Sequence, residues 1–364
     1  QPSGGMPQSG SGRSAAMPNA GRSAARGAGD QVAAPAVAIR WIDVHNHLIP
    51  GQGRDFSGSF SAALAVMDQI GIGAMIVMPT PQVANGHDYD AFLAALRQNS
   101  ARFTFLGGGG SLNVMIHQAG GERVVSESLR RQFKEKADEI IRQGASGFGE
   151  MAVQHLSLHA TDHPYENVPA DHPLFLLLAD IAATRDVPID IHFDVVTNDI
   201  PTPSWLSDSP NNPKVLRANL ASFERLLEHN PRTRICWDHA GSDNTGHWTT
   251  DLSRSLLQKH SNLYMSLRLG PGHEPLNFPL TRDGRIKREW LSLLKDFPDR
   301  FMIGSDNFIA SATFRGSGTA AMLAGRIPAT RRFTPVFLNA IPADLARKIS
   351  VENATAFYKL KHQM

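Results

Sequence analysis

The sequence predicts an α/β protein, a (β/α)8 or TIM barrel, preceded by a disordered N-terminal tail. After residue 39, eight short apolar runs alternate with longer amphipathic segments, a pattern typical of parallel βαβ units. The chain of 364 residues is also long enough for eight such units to close into a barrel. An open, doubly wound sheet is the alternative.

The predicted strands are short apolar runs bounded by turn-forming residues. They span residues 39–47, 74–80, 102–108, 144–153, 187–196, 233–241, 262–270 and 300–308. A dinucleotide-binding GxGxxG pattern does not follow the first strand. We interpret the glycine run 107–110 as a tight turn after the third strand rather than as a phosphate cradle.

The segments between the strands predict helices, because their apolar residues recur at helical spacing. The predicted helices span residues 57–70, 88–100, 121–143, 172–185, 213–229, 247–260, 284–296 and 333–358, the last interrupted at Pro342. Pro173 and Pro213 predict helix starts, since proline is favoured in the first helical turn.

Residues 1–36 are rich in Gly, Ser, Ala and Pro and contain no aromatic residue, Leu or Ile. Such a segment cannot bury enough apolar surface to offset its ordering entropy, so it predicts a disordered tail before a barrel domain at 37–364. The tail's three arginines and one aspartate give it a charge of +2, equal to the formal net charge of the whole chain. The barrel is therefore neutral in total, and we expect no binding to nucleic acid.

The apolar runs, the cysteine content and the first residue limit which partners and which location we expect. No run approaches the roughly 18 apolar residues of a membrane span, so no membrane association is expected. The single cysteine, Cys236, allows no intrachain disulfide and no thiolate metal cluster. We expect a small-molecule substrate, and a homodimer is possible. A start at Gln1 would follow from removal of an export signal, which would place the protein in the periplasm or outside the cell; otherwise it is cytoplasmic.

The motif His45-Asn46-His47 ends the first predicted strand. Side chains at positions i and i+2 of a strand point to the same face, so the two imidazoles should converge. Histidine nitrogens are good ligands for a divalent metal such as zinc. Alone the motif also fits two ordinary polar residues at a strand end.

Polar side chains interrupt four further predicted strands at their C-terminal ends. In a barrel these positions open onto the face where barrel enzymes carry their active sites. Each residue alone could be a helix cap or a hydrogen-bonded core histidine, but together they predict a metal site. They are Glu150, His192, His239 and Asp306, on the fourth, fifth, sixth and eighth strands.

This pattern resembles that of the amidohydrolase superfamily. The motifs DVHNHLIP, IDIHFDVV, CWDHAG and FMIGSDNF, with the closing VENATAFYKL, are similar to those of its amidohydrolase-related branch. That branch includes pyrone-dicarboxylate lactonases and the aminocarboxymuconate-semialdehyde and resorcylate decarboxylases. The resemblance spans residues 41–360. The motif GSDNF departs from the GSDxP common in the family, which weakens any transfer of a specific substrate.

The resemblance implies a role for each matching residue. His45, His47, His192 and Asp306 would bind one divalent ion. His239 would either bind a second ion or orient the attacking water or the substrate. Asp306 would also take a proton from the metal-activated water.

Glu150 leaves the number of ions open. It could bridge two ions, as a carboxylated lysine or glutamate does in binuclear relatives, or it could stand beside a single ion as an outer partner. We favour one ion with Glu150 in the metal site, and two are possible. Zinc is the first expectation, and manganese and iron accept the same ligands.

Three residues are candidates for substrate binding. Arg268 interrupts the seventh strand and could hold a carboxylate through its planar fork, or form a structural ion pair. Asp194 shares the face of His192 and could orient a histidine or begin the next loop. Trp205, in the insertion after the fifth strand, could pack on a flat substrate or serve as a hydrophobic anchor.

Three functions remain open from the sequence. The first is a metal-dependent hydrolase of a small ester, lactone or amide, which Glu150 favours. The second is a non-oxidative metal-dependent decarboxylase of a small, aromatic carboxylic acid. The third is a non-catalytic barrel that binds a small molecule, and the presence of every expected ligand argues against it.

Overall fold

The computed structural model describes residues 40–81, 89–158, 164–270, 277–315 and 320–361. The predicted tail, residues 1–36, lies outside this part of the chain. Every predicted strand corresponds to an observed strand, and two of the eight are each divided into two segments. The strands are β1 Trp41–Ile49, β2 Ile72–Val77, β3 Phe103–Phe105 and Gly107–Gly108, β4 Phe148–Ala152, β5 Ile189–His192, β6 Ile235–Ala240, β7 Leu263–Leu267, and β8 Phe301–Ile303 and Asn307–Ala310.

The strands form one parallel sheet that closes on itself. Neighbours follow the order β3, β2, β1, β8, β7, β6, β5, β4. The first segment of β3, Phe103–Phe105, pairs with β2, and the second, Gly107–Gly108, pairs with β4. Because one strand joins both ends of the order, the sheet is a barrel, as predicted, and not an open doubly wound sheet.

Helices connect the strands on the outside of the barrel. They are α1 Phe56–Ile70, α2 Tyr89–Gln98, α3 Leu112–Ala119, α4 Glu127–Arg142, α5 Pro173–Arg185, α6 Ser204–Ser207, α7 Leu220–His229, α8 Thr250–Lys259, α9 Arg288–Asp296, α10 Ala320–Ala340, α11 Ala343–Arg347 and α12 Asn353–Tyr358, with a π-helical turn at Lys348–Glu352 before α12. Among the described helices, none is long and apolar enough to cross a membrane.

Several predicted boundaries are wrong, each for a local reason. Pro213 does not start a helix, because the following Val215–Leu216 pairs antiparallel with Ile200–Pro201 and the helix begins only at Leu220. The segment predicted as one helix over 121–143 begins at Glu127, where Ser126 caps it by accepting a hydrogen bond from the Leu129 amide. The start of α5 is as predicted: His172 accepts from the Leu174 amide and Pro173 occupies the first turn.

The glycine run after the third strand forms the predicted tight turn only in its second half. Gly107 and Gly108 continue β3 and pair with β4. At Gly109, an added Cβ would lie 2.7 Å from the Pro79 carbonyl oxygen and 2.9 Å from that of Glu150. Glycine is therefore required here because three backbone segments approach closely beside Glu150.

Hydrophobic side chains fill two layers. The larger one lies between the sheet and the helices, and alternate strand residues such as Trp41 and Met75 point into it. The smaller one contains the intervening residues, such as Ile42 and Ile76. Phe357 of α12 also packs in this inner layer, which places α12 at the end of the barrel opposite the C-terminal strand ends.

Candidate metal centre

The predicted ligands converge at the C-terminal ends of the barrel strands. The imidazoles of His45 and His47 meet with their Nε2 atoms 3.2 Å apart, as the strand alternation predicts. The Oε2 atom of Glu150 lies 3.5 Å from His45 Nε2 and 3.2 Å from His47 Nε2. The Oδ1 atom of Asp306 lies 3.9 Å and 3.4 Å from the same two nitrogens.

The other oxygen of Glu150 faces a second pair of histidines. Glu150 Oε1 lies 3.2 Å from His192 Nδ1 and 3.4 Å from His239 Nε2. Glu150 is therefore placed between two pairs of imidazoles, with one oxygen toward each pair. Among the described residues, Glu150, His192 and His239 form one group able to hold a metal ion, and His45, His47 and Glu150 form another.

The spacing of these atoms fits a coordinated cation. Ligands bound tetrahedrally at about 2.1 Å lie about 3.4 Å from one another. The nitrogen and oxygen atoms around His45 and His47 are separated by 3.2 to 3.9 Å. The residues present thus match the coordination sphere of a small divalent ion in both spacing and donor type.

A hydrogen bond on the far side of His47 turns its ring toward this centre. Its Nδ1 atom lies 2.9 Å from the Met78 carbonyl oxygen. A carbonyl oxygen only accepts, so the proton belongs on Nδ1 and Nε2 presents its lone pair to the centre. Such a fixed tautomer is typical of metal-binding histidines.

The electrostatics of the site favour a bound cation. Burial raises the pKa of Glu150, but His45, His192 and His239 outweigh burial and hold that pKa well below its ordinary value. Burial likewise raises the pKa of Asp306, yet Arg268 and the neighbouring histidines lower it overall. Both carboxylates are therefore ionised at neutral pH, which is the form that binds a metal.

The imidazoles respond to the same negative field. Burial lowers the pKa of His45, but Asp238 and Glu150 raise it well above its ordinary value. Burial also lowers the pKa of His192, while Asp194 and Glu150 raise it to about 10. Positive charge is thus stabilised at this place, and a divalent ion would supply it.

Two ligand positions depend on unusual backbone conformations. His239 has φ of 75° and Asp306 has φ of 55°, both in the left-handed region that non-glycine residues seldom adopt. Each such residue costs about 1–3 kcal/mol and persists only where the surrounding structure enforces it. At Asp306 the backbone N–H donates to the His45 carbonyl oxygen at 2.9 Å, which ties β8 to β1 beside the centre.

Asp194 orients His192. One carboxylate oxygen, Oδ2, lies 3.0 Å from His192 Nε2 and accepts the Leu156 amide at 2.9 Å. The other, Oδ1, accepts from Asn244 at 2.7 Å. Both oxygens of Asp194 thus have hydrogen-bonding partners. This arrangement agrees with the first of the two alternatives that the sequence left open for Asp194, the orientation of a histidine.

Two arginines flank the centre. Arg268 is 7% exposed, and its Nε lies 3.4 Å from Asp306 Oδ2 without forming a hydrogen bond within the described chain. Arg326 of α10 places Nη2 3.9 Å from the same oxygen. Thr330, one turn later, donates to Asn307 at 2.7 Å and fixes α10 against β8. The sequence suggested Arg268 but not Arg326, because a helix residue beyond the last strand carries no pattern that points to the centre.

The remaining candidates lie at different distances from the centre. Trp205 packs beside Leu206 in a small apolar cluster, which agrees with the hydrophobic-anchor alternative. His155 belongs to a hairpin after β4, Gln154–His155 with Glu166–Asn167, and its ring centroid lies 4.1 Å from that of His192. The site residues predicted from the sequence did not include His155.

A barrel with histidines on β1, β5 and β6 and carboxylates on β4 and β8 defines a candidate metal-dependent enzyme of the amidohydrolase type. The chain belongs to the amidohydrolase family, whose model matches residues 42–360. The resemblance seen in the sequence is thereby confirmed. No curated protein matches the chain.

Similar solved structures include both decarboxylases and a peptidase. One is a 2,6-dihydroxybenzoate decarboxylase in complex with 2,6-dihydroxybenzoate, at 14% identity and TM-score 0.47, covering 88% of this chain and 99% of that one. A dihydroxybenzoic acid decarboxylase from Polaromonas sp. JS666 with bound manganese has 12% identity and TM-score 0.46, covering 89% and 98%. A β-aspartyl dipeptidase from Fervidobacterium islandicum AW-1 has 13% identity and TM-score 0.44, covering 88% and 74%.

Proposed function

We propose that the protein is a metal-dependent hydrolase that cleaves a small ester, lactone or amide. The observation that carries this proposal is the position of Glu150, with one carboxylate oxygen toward His45 and His47 and the other toward His192 and His239. A carboxylate so placed can hold metal and attacking water in one geometry, which is what hydrolysis of a carbonyl compound needs.

The same geometry supports two ions rather than the single ion that the sequence favoured. Glu150 would bridge one ion bound by His45, His47 and Asp306 and another bound by His192 and His239. Zinc fits nitrogen and carboxylate ligands best, and manganese or iron would be accepted. When bound, the metal would acidify water and polarise a carbonyl group.

Three side chains at the centre would carry out the remaining steps of the reaction. Asp306 is ionised and lies at the centre, so its carboxylate can take a proton from the attacking water and deliver it to the leaving group. His239, if not used as a ligand, can donate a hydrogen bond to the carbonyl oxygen. Asp194 keeps His192 in place during these steps.

The two arginines support a substrate that carries a carboxylate. Arg268 and Arg326 offer two guanidinium groups to one oxygen of Asp306, at 3.4 Å and 3.9 Å. Their remaining N–H groups can bind an anionic group of a small molecule through paired hydrogen bonds. Trp205 and Asp194, our other candidates for substrate contact, have partners of their own, so we assign the anionic group to the arginines.

The same observation favours a second candidate function, non-oxidative decarboxylation. A carboxylate held by Arg268 and Arg326 would lie beside the metal and could itself be the group that is lost. The two reactions differ in their products: hydrolysis consumes water and leaves two functional groups from one carbonyl compound, whereas decarboxylation releases carbon dioxide.

An assay on paired substrates separates these functions. Zinc- or manganese-loaded protein is incubated with lactones, esters and amides bearing a carboxylate and with hydroxylated aromatic acids, and acid and carbon dioxide release are both measured. We expect acid release without carbon dioxide, lost on chelation and in Asp306→Asn. Carbon dioxide release without hydrolysis would replace our proposal by the decarboxylase. If the protein catalyses neither reaction but binds the carboxylated compounds tightly, it would instead be a binding protein.

A further inference from the structure

Two aspartates lie inside the barrel next to the candidate metal centre and are not among its proposed ligands. Asp190 precedes His192 by two residues on β5, and Asp238 immediately precedes His239 on β6; their exposed fractions are 0% and 1%. Within the described residues, neither forms an ion pair with a lysine or an arginine. Buried carboxylates without such partners are costly, so their presence needs a physical reason.

Three buried polar atoms at this place lack a hydrogen-bond partner within the described chain: His45 Nδ1, Asp190 Oδ1 and Asp238 Oδ2. These residues form a compact group with ligand atoms within 4.8 Å of one another, and His45 Nδ1 lies 3.5 Å from Asp238 Oδ2. An unsatisfied buried polar atom is destabilising. Because three such atoms lie close together here, we interpret their residues as one interacting group.

The other oxygens of both aspartates are held by neighbouring side chains. The Ser266 hydroxyl donates to Asp238 Oδ1 at 2.9 Å, and the Cys236 thiol lies 3.5 Å from the same oxygen. The Tyr358 hydroxyl donates to Asp190 Oδ2 at 2.6 Å. Tyr358 belongs to α12, so this contact links the helix that covers the opposite end of the barrel to the group below the metal centre.

We propose that Asp238 is a positioning residue that fixes His45 for metal binding, supported by Asp190 and by Tyr358 from α12. Asp238 Oδ2 lies 3.5 Å from His45 Nδ1, and a carboxylate oxygen accepts a hydrogen bond from a ring N–H, so this contact favours the proton of His45 on Nδ1. The Nε2 lone pair is then directed at His47 and Glu150. The inference rests on the proposed metal site but not on which reaction occurs there.

The affinity for zinc tests the positioning role of Asp238 without requiring a substrate or a catalytic assay. Zinc binding to wild type, Asp238→Asn and Tyr358→Phe is measured by competition with a chromophoric chelator. We expect Asp238→Asn to bind zinc roughly 10- to 100-fold more weakly, as is typical when an outer partner of a ligand is lost. Tyr358→Phe should weaken binding by a smaller factor. Wild-type zinc affinity in a folded Asp238→Asn protein would overturn the proposal.

Tyr264→Phe is the matched control. Tyr264 is also a tyrosine that packs against α12, with its ring 4.6 Å from that of Phe357, but it does not contact Asp190. It should keep wild-type zinc affinity. Equal losses in Tyr264→Phe and Tyr358→Phe would mean that general packing of α12, not the hydroxyl of Tyr358, is responsible, and would overturn the part assigned to Tyr358.

The tautomer of His45 in the metal-free protein, observed at a pH where its imidazole is neutral, is a second readout. ¹⁵N NMR shifts of the imidazole should place the proton on Nδ1 in wild type and lose this preference in Asp238→Asn. If Asp238→Asn does not fold, wild type and Tyr358→Phe still report the tautomer, and a proton on Nε2 of wild-type His45 overturns the proposal. A protein that binds no zinc yet shows the expected tautomer would remove the proposed function and leave the positioning role standing.

Discussion

Glu150 is the residue that joins the two halves of the candidate centre. Its neighbours belong to β1 on one side and to β5 and β6 on the other, and β1 is adjacent to neither of these two strands in the barrel. A carboxylate has two oxygens and can bind one or two cations, whereas an imidazole nitrogen binds only one. The number of ions therefore depends on this side chain more than on any histidine.

His192→Ala tests the histidine on the far side of Glu150. Removing the imidazole removes a ligand directly, so we expect metal content to fall and turnover to decrease by more than the roughly 10- to 100-fold that loss of an outer partner costs. Secondary structure, measured by circular dichroism, should be unchanged. His229→Ala, which changes an exposed histidine on α7, is the control. Normal metal content with full activity in His192→Ala would refute the assigned ligand set.

Arg326→Gln tests the arginine that the sequence did not indicate. Charge-assisted hydrogen bonds contribute about 1.5–3 kcal/mol, so we expect KM for a carboxylated substrate to rise about 10- to 100-fold. KM for the matching neutral methyl ester should not change. The control is Arg331→Gln, which alters an exposed arginine on the same helix. Equal effects on the acid and its ester would show that Arg326 does not recognise the carboxylate.

The residues that sequence could and could not predict differ in how their positions are set. His45 and His47 were predictable because strand alternation alone brings them together. Asp190 carried a readable signal, since it shares the face of His192 two residues later, but an acid in an apolar strand is also a common structural feature. Arg326 reaches the centre only through the packing of α10 on β8, which no local pattern encodes.

Among the elements, the strand ends decide the geometry of the centre. β8 is interrupted between Ile303 and Asn307, and Asp306 occupies this interruption with a left-handed backbone. The β6–β7 register likewise shifts between Trp237 and Ala240, where His239 lies. At these irregularities the side chains no longer follow the regular alternation of a strand. The sequence therefore predicted the strands but not the directions of these ligands.

The hairpin after β4 carries a partly buried acid whose titration should affect stability. Burial, and then the charge of Glu150, raise the pKa of Glu166 to about 7 from an ordinary 4.5. The folded protein thus binds this proton more tightly than the unfolded chain does. Its contribution to stability is full below pH 4.5 and is lost as the pH rises toward 7.

Glu166→Gln should therefore flatten the pH dependence of stability. Between pH 5 and pH 8, wild type should lose up to about 3 kcal/mol of unfolding free energy more than the variant loses, since one pKa unit corresponds to about 1.4 kcal/mol. Urea unfolding of both metal-free proteins at the two pH values measures this. Glu135→Gln, on the exposed face of α4, should follow wild type. Parallel pH profiles for wild type and Glu166→Gln would contradict the burial assigned to Glu166.

The whole molecule brings together ligands that are far apart in the chain. His45 and Asp306 are separated by most of the barrel in sequence, yet β1 and β8 are neighbours because the sheet closes. The alternation of strand and helix patterns was sufficient to predict this closure, and closure in turn places every strand end on one face. Helix starts such as that of α7 were less predictable, because tertiary pairing of Val215–Leu216 overrides the helical pattern there.

Metal analysis of the untreated protein tests the proposed centre most directly. Elemental analysis of wild type and Glu150→Gln, with Glu135→Gln as the control, gives the ions bound per chain. We expect two equivalents of divalent metal in wild type and in the control, and a clear loss in Glu150→Gln. One equivalent in wild type, unchanged in Glu150→Gln, would contradict the bridging role of Glu150. A wild-type protein that contains no metal and takes up neither zinc nor manganese would contradict the metal centre itself.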